Sequence, residues 1–213
     1  MKITVVYDNK ALKKGLKADW GFACLVEKPG APAILFDTGA DGSLLLHNLS
    51  RLGFQPDMIS EVFISHAHLD HTGGLPDLLR LNQRLRVYLP ASCPRPIGAA
   101  EVISIREPFQ LHEGIFSTGE LNGIEQSLIV NAGHALTVIV GCSHPGVRAI
   151  LRAASRFGKV SALIGGLHGF SEFELLDDLK LVCPCHCTQF KEEIKLLYPE
   201  KCLTCGAGKV LEI

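Results

Sequence analysis

The stretch Ser65–Gly74, SHAHLDHTGG, crowds three histidines and an aspartate (His66, His68, Asp70 and His71) into six positions and ends in two glycines. It follows directly on the apolar run EVFIS, which reads as a buried strand. A packed core gives no reason to gather four such side chains. A metal site, a catalytic dyad and a solvated polar turn each would. In an extended backbone His66 and His68 alternate, project to one side and can grip one ion. Asp70 and His71 come as the chain begins to turn and can reach a second ion, while Thr72 and the glycines allow a tight turn into the next helix. Imidazoles with one carboxylate suit zinc, iron or manganese better than calcium or magnesium. The spacing is not that of a helical H-E-x-x-H pair, because the histidines do not fall one turn apart.

Three further histidines end apolar runs: VIVGCSH at His144, ALIGGLH at His168 and LVCPCH at His186. In mixed sheets, ligand groups gather where the carboxyl ends of strands open into loops. Four strand ends that present imidazoles therefore predict a common mouth. His134, in NAGHAL, reads as a hairpin-turn residue, and His47 and His112 as surface or packing residues.

Outward from these motifs the chain alternates strands and helices. KITVVY, WGFACLVE and AILFDTG read as strands, and DGSLLLHNLSRLG as a helix capped by Asp41 or Ser43 and stopped at Gly53. LPDLLRLNQRL is a second helix and RVYLP a strand. SLIVN and ALTVIVGC make a strand pair, followed by the helix GVRAILRAASRFG, which Gly158 closes. VSALIGG and LKLVCPC are two more buried strands, Asp177 and Asp178 fall in an acidic helix, and TQFKEEIKLLYP is the last helix. Two mixed halves predict two sheets packed on each other with helices outside. A chain of 213 residues buries one substantial core, so a single domain over residues 1–213 is expected.

Lys+Arg 21 against Asp+Glu 22 leaves a formal charge of −1, which offers no basic field for nucleic acid. No apolar stretch approaches the ~20 residues needed to span a bilayer, and MKITVVYDNK lacks the marks of a signal peptide. The expectation is a cytoplasmic protein acting on a small molecule, with no nucleic-acid or membrane partner. Of eight cysteines, five (Cys183, Cys185, Cys187, Cys202, Cys205) cluster near the C-terminus and read as reduced thiols or metal ligands rather than a disulfide framework. If VCPCHC is extended, Cys183, Cys185 and Cys187 share one face and His186 points to the other. The spacing of CLTC also admits a structural zinc on Cys185 or Cys187 with Cys202 and Cys205, buried thiols being the simpler reading. Arg148, Arg152 and Arg156 form a helical stripe, read as a solvated face or a phosphate contact.

The pattern H-x-H-x-D-H within SHAHLDHTGG resembles the motif of the metallo-β-lactamase superfamily. WGFACLVE, ILFDTG, GCSHPG, GGLHGF and CHCT resemble its subgroup of metal-dependent hydrolases related to dihydropterin-ribofuranosylaminobenzene-phosphate synthases. The resemblance implies an α+β fold, the αββα sandwich of two packed mixed β-sheets flanked by helices, with a metal site at one edge. It implies one or two transition-metal ions, zinc first, with iron or manganese as alternatives. His66 and His68 resemble the ligands of a first metal, Asp70 and His71 those of a second, and His144 and His186 the C-terminal ligands. Asp37 resembles a buried aspartate that braces the histidine loop through hydrogen bonds.

Most members of the superfamily place a bridging aspartate after a late strand. Here the corresponding strand end carries His144, and STGEL, with Glu120, stands roughly where a Gly-His-Thr motif is found. His168 is accordingly read either as a metal ligand or as a catalytic group. The implied activity is metal-assisted attack of water on an ester or phosphoester, Asp70 orienting the nucleophile and His168 serving the leaving group. The alternatives are a transferase condensing a dihydropterin diphosphate with a ribofuranosylaminobenzene phosphate, and a non-catalytic metal-binding sensor.

Overall fold

Runs such as VVY, ACLV and ILF are apolar at every position, which a strand tolerates only when both of its faces are covered. The computed structural model, which describes every residue of the chain except His134, shows how that cover is supplied. The first half runs β1 (Lys2–Tyr7), β2 (Ala23–Glu27), β3 (Ile34–Phe36), α1 (Gly42–Arg51), β4 (Glu61–Phe63), α2 (Leu69–Thr72), α3 (Leu75–Leu81), β5 (Arg86–Pro90) and β6 (Glu101–Ile105). The second runs β7 (Phe109–His112), β8 (Ile115–Ser117), β9 (Leu128–Asn131), β10 (Leu136–Val140), α4 (Val147–Ala154), β11 (Val160–Gly166), β12 (Leu181–Cys185), α5 (Lys191–Leu197) and β13 (Val210–Glu212).

One sheet has the order β13-β1-β2-β3-β4-β5-β6 and the other β12-β11-β10-β9-β8-β7. Both are mixed. β3 to β6 run parallel in the first, and β10 to β12 in the second. The period-two alternation of a strand divides its side chains between two cores. Val5, Val26, Phe36 and Phe63 of the first sheet meet Leu128, Ile139, Ile164 and Cys183 of the second in the layer between the sheets. Leu25, Leu35 and Val62 turn outward onto Leu45, Leu49 and Leu78 of α1 and α3. Val138, Val140 and Leu163 do the same with Val147 and Ile150 of α4. The result is the four-layer αββα sandwich of an α+β protein, as the sequence implies.

Topology decides where function can sit. The carboxyl ends of β3 and β4 in one sheet and of β10, β11 and β12 in the other open toward a common edge. β1 runs in the same direction as β3, two antiparallel pairings away, so its end delivers Asp8 and Asn9 to the same place. The predicted pair of β9 and β10 is present and antiparallel.

Several expectations are corrected. β6 and the β7–β8 hairpin have no counterpart in the sequence reading. The acidic helix is a single 3-10 turn, Phe173–Leu176, with Asp177 at its end. Cys185 is joined to Cys205 by a disulfide, with Cys183 beside it. That pairing displaces the structural zinc considered for Cys185 or Cys187 with Cys202 and Cys205. Cys187 does not share a face with Cys183 and Cys185, because the chain leaves the strand at His186. His134 lies outside the described residues. No helix among those described is long and apolar enough to cross a membrane.

Candidate metal centre

Five non-glycine residues among those described have positive φ, and four of them stand at strand ends that face this edge: Asp37 (55°), Ser143 (62°), His168 (47°) and His186 (43°). Left-handed backbone costs a non-glycine residue about 1–3 kcal/mol and gathers at functional sites. Each of these residues turns the chain out of β3, β10, β11 or β12 so that the side chains beside it point into the mouth rather than along the sheet.

Asp37 organises the histidine loop. Buried completely, it accepts hydrogen bonds from the Ser65 backbone N–H (2.7 Å), Ser65 Oγ (2.7 Å) and His71 Nδ1 (2.7 Å). Its place as a brace is as the resemblance implies. The bonds also fix protons. His71 Nδ1 donates to the carboxylate, so in the neutral ring Nε2 keeps its lone pair, and that atom faces Cys142 Sγ at 3.2 Å. The single hydroxyl proton of Ser65 goes to Asp37, so His66 Nδ1 donates to Ser65 Oγ at 2.9 Å. His66 Nε2 is then also bare, 3.1 Å from His68 Nδ1.

His186 is oriented from the other side of the mouth. Asn9 Nδ2 donates to the His186 carbonyl (3.1 Å), and Asn9 Oδ1 accepts from Gly21 N–H (3.2 Å), which fixes the amide. His186 Nδ1 therefore donates to Asn9 Oδ1 at 2.9 Å, and its Nε2 lies 3.0 Å from Asp70 Oδ2. The same carboxylate oxygen accepts from Trp20 Nε1 at 3.0 Å. Asp70 and His71 enter from the first turn of α2, as the change from extended to turning chain predicts.

The GCSH segment is held by a residue that the sequence reading passes over. Buried Glu125 accepts the N–H groups of Gly141 (3.1 Å), Cys142 (3.1 Å) and Ser143 (3.0 Å) on one oxygen and that of His144 (2.8 Å) on the other. A Cβ at Gly141 would run into Ser65 Oγ, so glycine there lets β10 close on the histidine loop. The His144 ring meets the His66 and His68 rings edge-on, with 4.8 Å between centroids in each pair, and its buried Nε2 has no hydrogen-bond partner among the described residues. His168, exposed, lies 5.0 Å from the His144 ring. Donor atoms of Asp70, His71, Cys142 and His186 form one group within 4.8 Å, those of His66, Cys142 and His144 a second, and those of Cys142, His168 and Cys187 a third. All seven histidine and aspartate positions expected from sequence thus meet at one mouth. Cys142, Glu125, Asn9 and Trp20 join them unforeseen. Glu120 does not; its carboxylate accepts from the Ser92 N–H. Nor do His47 and His112, bonded to Gly15 and Glu61.

Electrostatics follow from this crowding. Burial and then the neighbouring histidines His71, His144 and His68 hold His66 far below the ordinary imidazole range. Burial, with His68 and His168, lowers His144 to about 4. Burial opposes ionisation of Asp70, but the hydrogen bond from His186 and the charges of His71 and His186 outweigh it, and the carboxyl is lowered. Burial opposes protonation of His71, yet Asp37 raises it. Between His144's folded value of about 4 and the unfolded imidazole near 6.5, the unfolded chain binds a proton that the folded one refuses. Folding stability from this residue is therefore lost as pH falls through that window. In metal-free protein, the drop in Tm from pH 7 to pH 5 should be smaller for His144→Gln than for wild type by scanning calorimetry. Equal drops would remove His144 as a contributor.

A cleft adjoins the mouth. It encloses about 310 Å³ and is lined by Ser143, Gly146, Leu167 and His168. Gly146 and Glu172 also wall a second cavity, of about 760 Å³, bordered by Arg106, Arg148, Arg152 and Arg156. Arg148 is paired with Glu172 and Glu174.

Residues 21–151 match the profile of the Metallo-beta-lactamase superfamily. A protein of Methanocaldococcus jannaschii named 7,8-dihydropterin-6-methyl-4-(beta-D-ribofuranosyl)-aminobenzene-5'-phosphate synthase is 26% identical, the match covering 84% of each chain. Among solved structures, Tm1679, described as a metal-dependent hydrolase of the beta-lactamase superfamily, superposes with a TM-score of 0.83 at 26% identity over 100% of this chain and 99% of its own. A diphosphatase of the PhnP family shares the fold, with a TM-score of 0.68 at 16% identity over 100% of this chain and 97% of its own.

Proposed function

The chain belongs to the metallo-beta-lactamase superfamily, and on that premise we propose that it is a metal-dependent hydrolase of a small phosphorylated ester. His66, His68, Asp70, His71, His144 and His186 hold one or two transition-metal ions, zinc first. The observation that carries this reading is the direction of the lone pairs. In the neutral rings, hydrogen bonds from Nδ1 leave the Nε2 atoms of His66, His71 and His186 bare and facing inward, and His144 Nε2 is buried without a partner among the described residues. His186 Nε2 faces a carboxylate oxygen at 3.0 Å, acceptor to acceptor unless a proton or a cation stands between them. A set of imidazole nitrogens with one carboxylate fits zinc, iron or manganese.

Such an ion supplies Lewis acidity at the reacting bond. The protein's own groups do the rest. Trp20 holds Asp70 Oδ2, which leaves Oδ1 to take a proton from the attacking water. His168, at the open side of the cluster, is placed to give a proton to the leaving oxygen. The arginine-bordered cavity then receives the phosphate, Arg152 and Arg156 being free, among the described residues, of the carboxylate pairing that occupies Arg148. Arg152→Glu should raise KM by about tenfold with kcat little changed, the signature of lost ground-state binding. An unchanged KM would remove the cleft from the substrate path.

Metal analysis of the purified protein, combined with turnover of phosphomonoesters, phosphodiesters and carboxylic esters, tests the reading. Stoichiometric zinc, iron or manganese and chelator-sensitive hydrolysis are expected; only traces of metal would sink it. A second reading is supported by the Methanocaldococcus jannaschii relative, whose name describes a synthase. In it the same site joins the methylene carbon of a dihydropterin-methyl diphosphate to a ribofuranosylaminobenzene phosphate, the carbon–oxygen bond to diphosphate breaking and diphosphate leaving. Diphosphate release that depends on the arylamine would favour transfer, and release without it favours hydrolysis.

A further inference from the structure

Cys142 stands at the centre of the histidine cluster, and the hydrolytic reading gives it no task. Its Sγ lies within 4.8 Å of the donor atoms of Asp70, His71 and His186, and equally of those of His66 and His144. Among the described residues it is the one side chain common to both groups. His71 Nε2, the nitrogen left bare in the neutral ring by the bond to Asp37, lies 3.2 Å from it. Sulfur at ~2.3 Å and nitrogen at ~2.0 Å from one tetrahedral zinc stand about 3.5 Å apart. The observed separation is close to that of two atoms sharing an ion.

The position is enforced by its surroundings. Cys142 is 2% exposed, and Glu125 fixes the backbone on both sides of it. Gly141 brings the segment against Ser65. Asp70 is the sole carboxylate in either group, which leaves divalent ions poorly neutralised in a mouth walled by buried residues.

We propose that Cys142 is a metal ligand whose thiolate is shared between the His66/His144 and Asp70/His71/His186 groups, in the role of a bridging carboxylate. This rests on the metal-centre reading above. On metal uptake the Sγ–H bond breaks, the proton leaves to solvent and a metal–sulfur bond forms in its place. Cys187, whose Sγ lies 3.2 Å from that of Cys142 but outside both of those groups, is the natural control.

The test uses the full chain, handled anaerobically without thiol reductant so that the Cys185–Cys205 disulfide is kept, stripped of metal and reloaded with zinc or cobalt(II), as wild type, Cys142→Ser and Cys187→Ser. Zinc-edge X-ray absorption should show about one sulfur per metal near ~2.3 Å in wild type, and the cobalt form a near-ultraviolet thiolate charge-transfer band. Both should vanish in Cys142→Ser and persist in Cys187→Ser. Should Cys142→Ser not fold, one sulfur per metal retained in Cys187→Ser supports the assignment without it. Full metal loading with nitrogen and oxygen scatterers alone overturns the proposal and leaves the metal centre standing. Sulfur that persists in Cys142→Ser also overturns it, by placing the ion on another thiol. No uptake by wild type overturns both readings together.

Discussion

Asp37→Asn should weaken metal binding by about 10–100-fold, the usual cost of losing a partner behind a ligand. All three of Asp37's contacts come from hydrogens: Ser65 N–H, Ser65 Oγ–H and His71 Nδ1–H. An amide has one accepting and one donating end, so at least one contact must invert. The cheapest inversion lets the new NH₂ donate to His71 Nδ1, which moves the ring proton to Nε2. The nitrogen that faced the centre then carries a hydrogen and cannot ligate. Asparagine tolerates the left-handed φ of 55° at this position, so the fold should survive the change. Asp37→Ala is harsher. It leaves the buried Ser65 and His71 donors without an acceptor, a loss of about 3–5 kcal/mol, or roughly 6–20 °C in Tm for a chain of this size. Competition against a chromophoric chelator measures the first variant and calorimetry the second. Wild-type affinity in a folded Asp37→Asn protein would mean that His71 does not bind through Nε2.

What was legible in the sequence and what was not divides along physical lines. The His66–His71 loop was plain because four ligand-type side chains in six positions have no packing rationale, and Asp37 was found through the resemblance of its FDTG turn. His144, His168 and His186 were found because each ends an apolar run, and topology brings the ends of β10, β11 and β12 together. Glu125 left no such trace. Its partners are four backbone N–H groups, which carry no side-chain pattern, and it comes from a loop before β9 rather than from a strand end. The misreading of Cys187 has a single cause. Alternation assigns faces only while the backbone stays extended, and at His186 φ is 43°. One left-handed residue moves Cys187 from the core between the sheets to Cys142. β6 escaped notice because a half-exposed edge strand lacks the apolar continuity that marks its buried neighbours.

His168→Asn should lower the catalytic rate by ~10²–10⁴-fold, the usual contribution of a general acid or charge-stabilising group, while metal content stays near that of wild type. Asparagine is the right replacement because it accepts the left-handed φ of 47° and cannot donate a titratable proton. The expectation comes from the position of the ring. His168 is exposed where His66, His71 and His186 are buried, and with Ser143 and Gly146 it lines a cavity that shares Gly146 and Glu172 with the arginine-bordered one. A group on the substrate's path, with a buried cluster behind it, is placed to meet the leaving oxygen. The competing role is also concrete, since a His168 nitrogen shares a group with Cys142 and Cys187 and so can reach the centre. Calorimetric titration of zinc into metal-free wild type and variant separates the two. Identical binding isotherms with collapsed turnover make His168 the proton donor. Loss of a binding step, with turnover falling in proportion to metal, makes it a ligand, and the proton must then be carried by another group in the cleft.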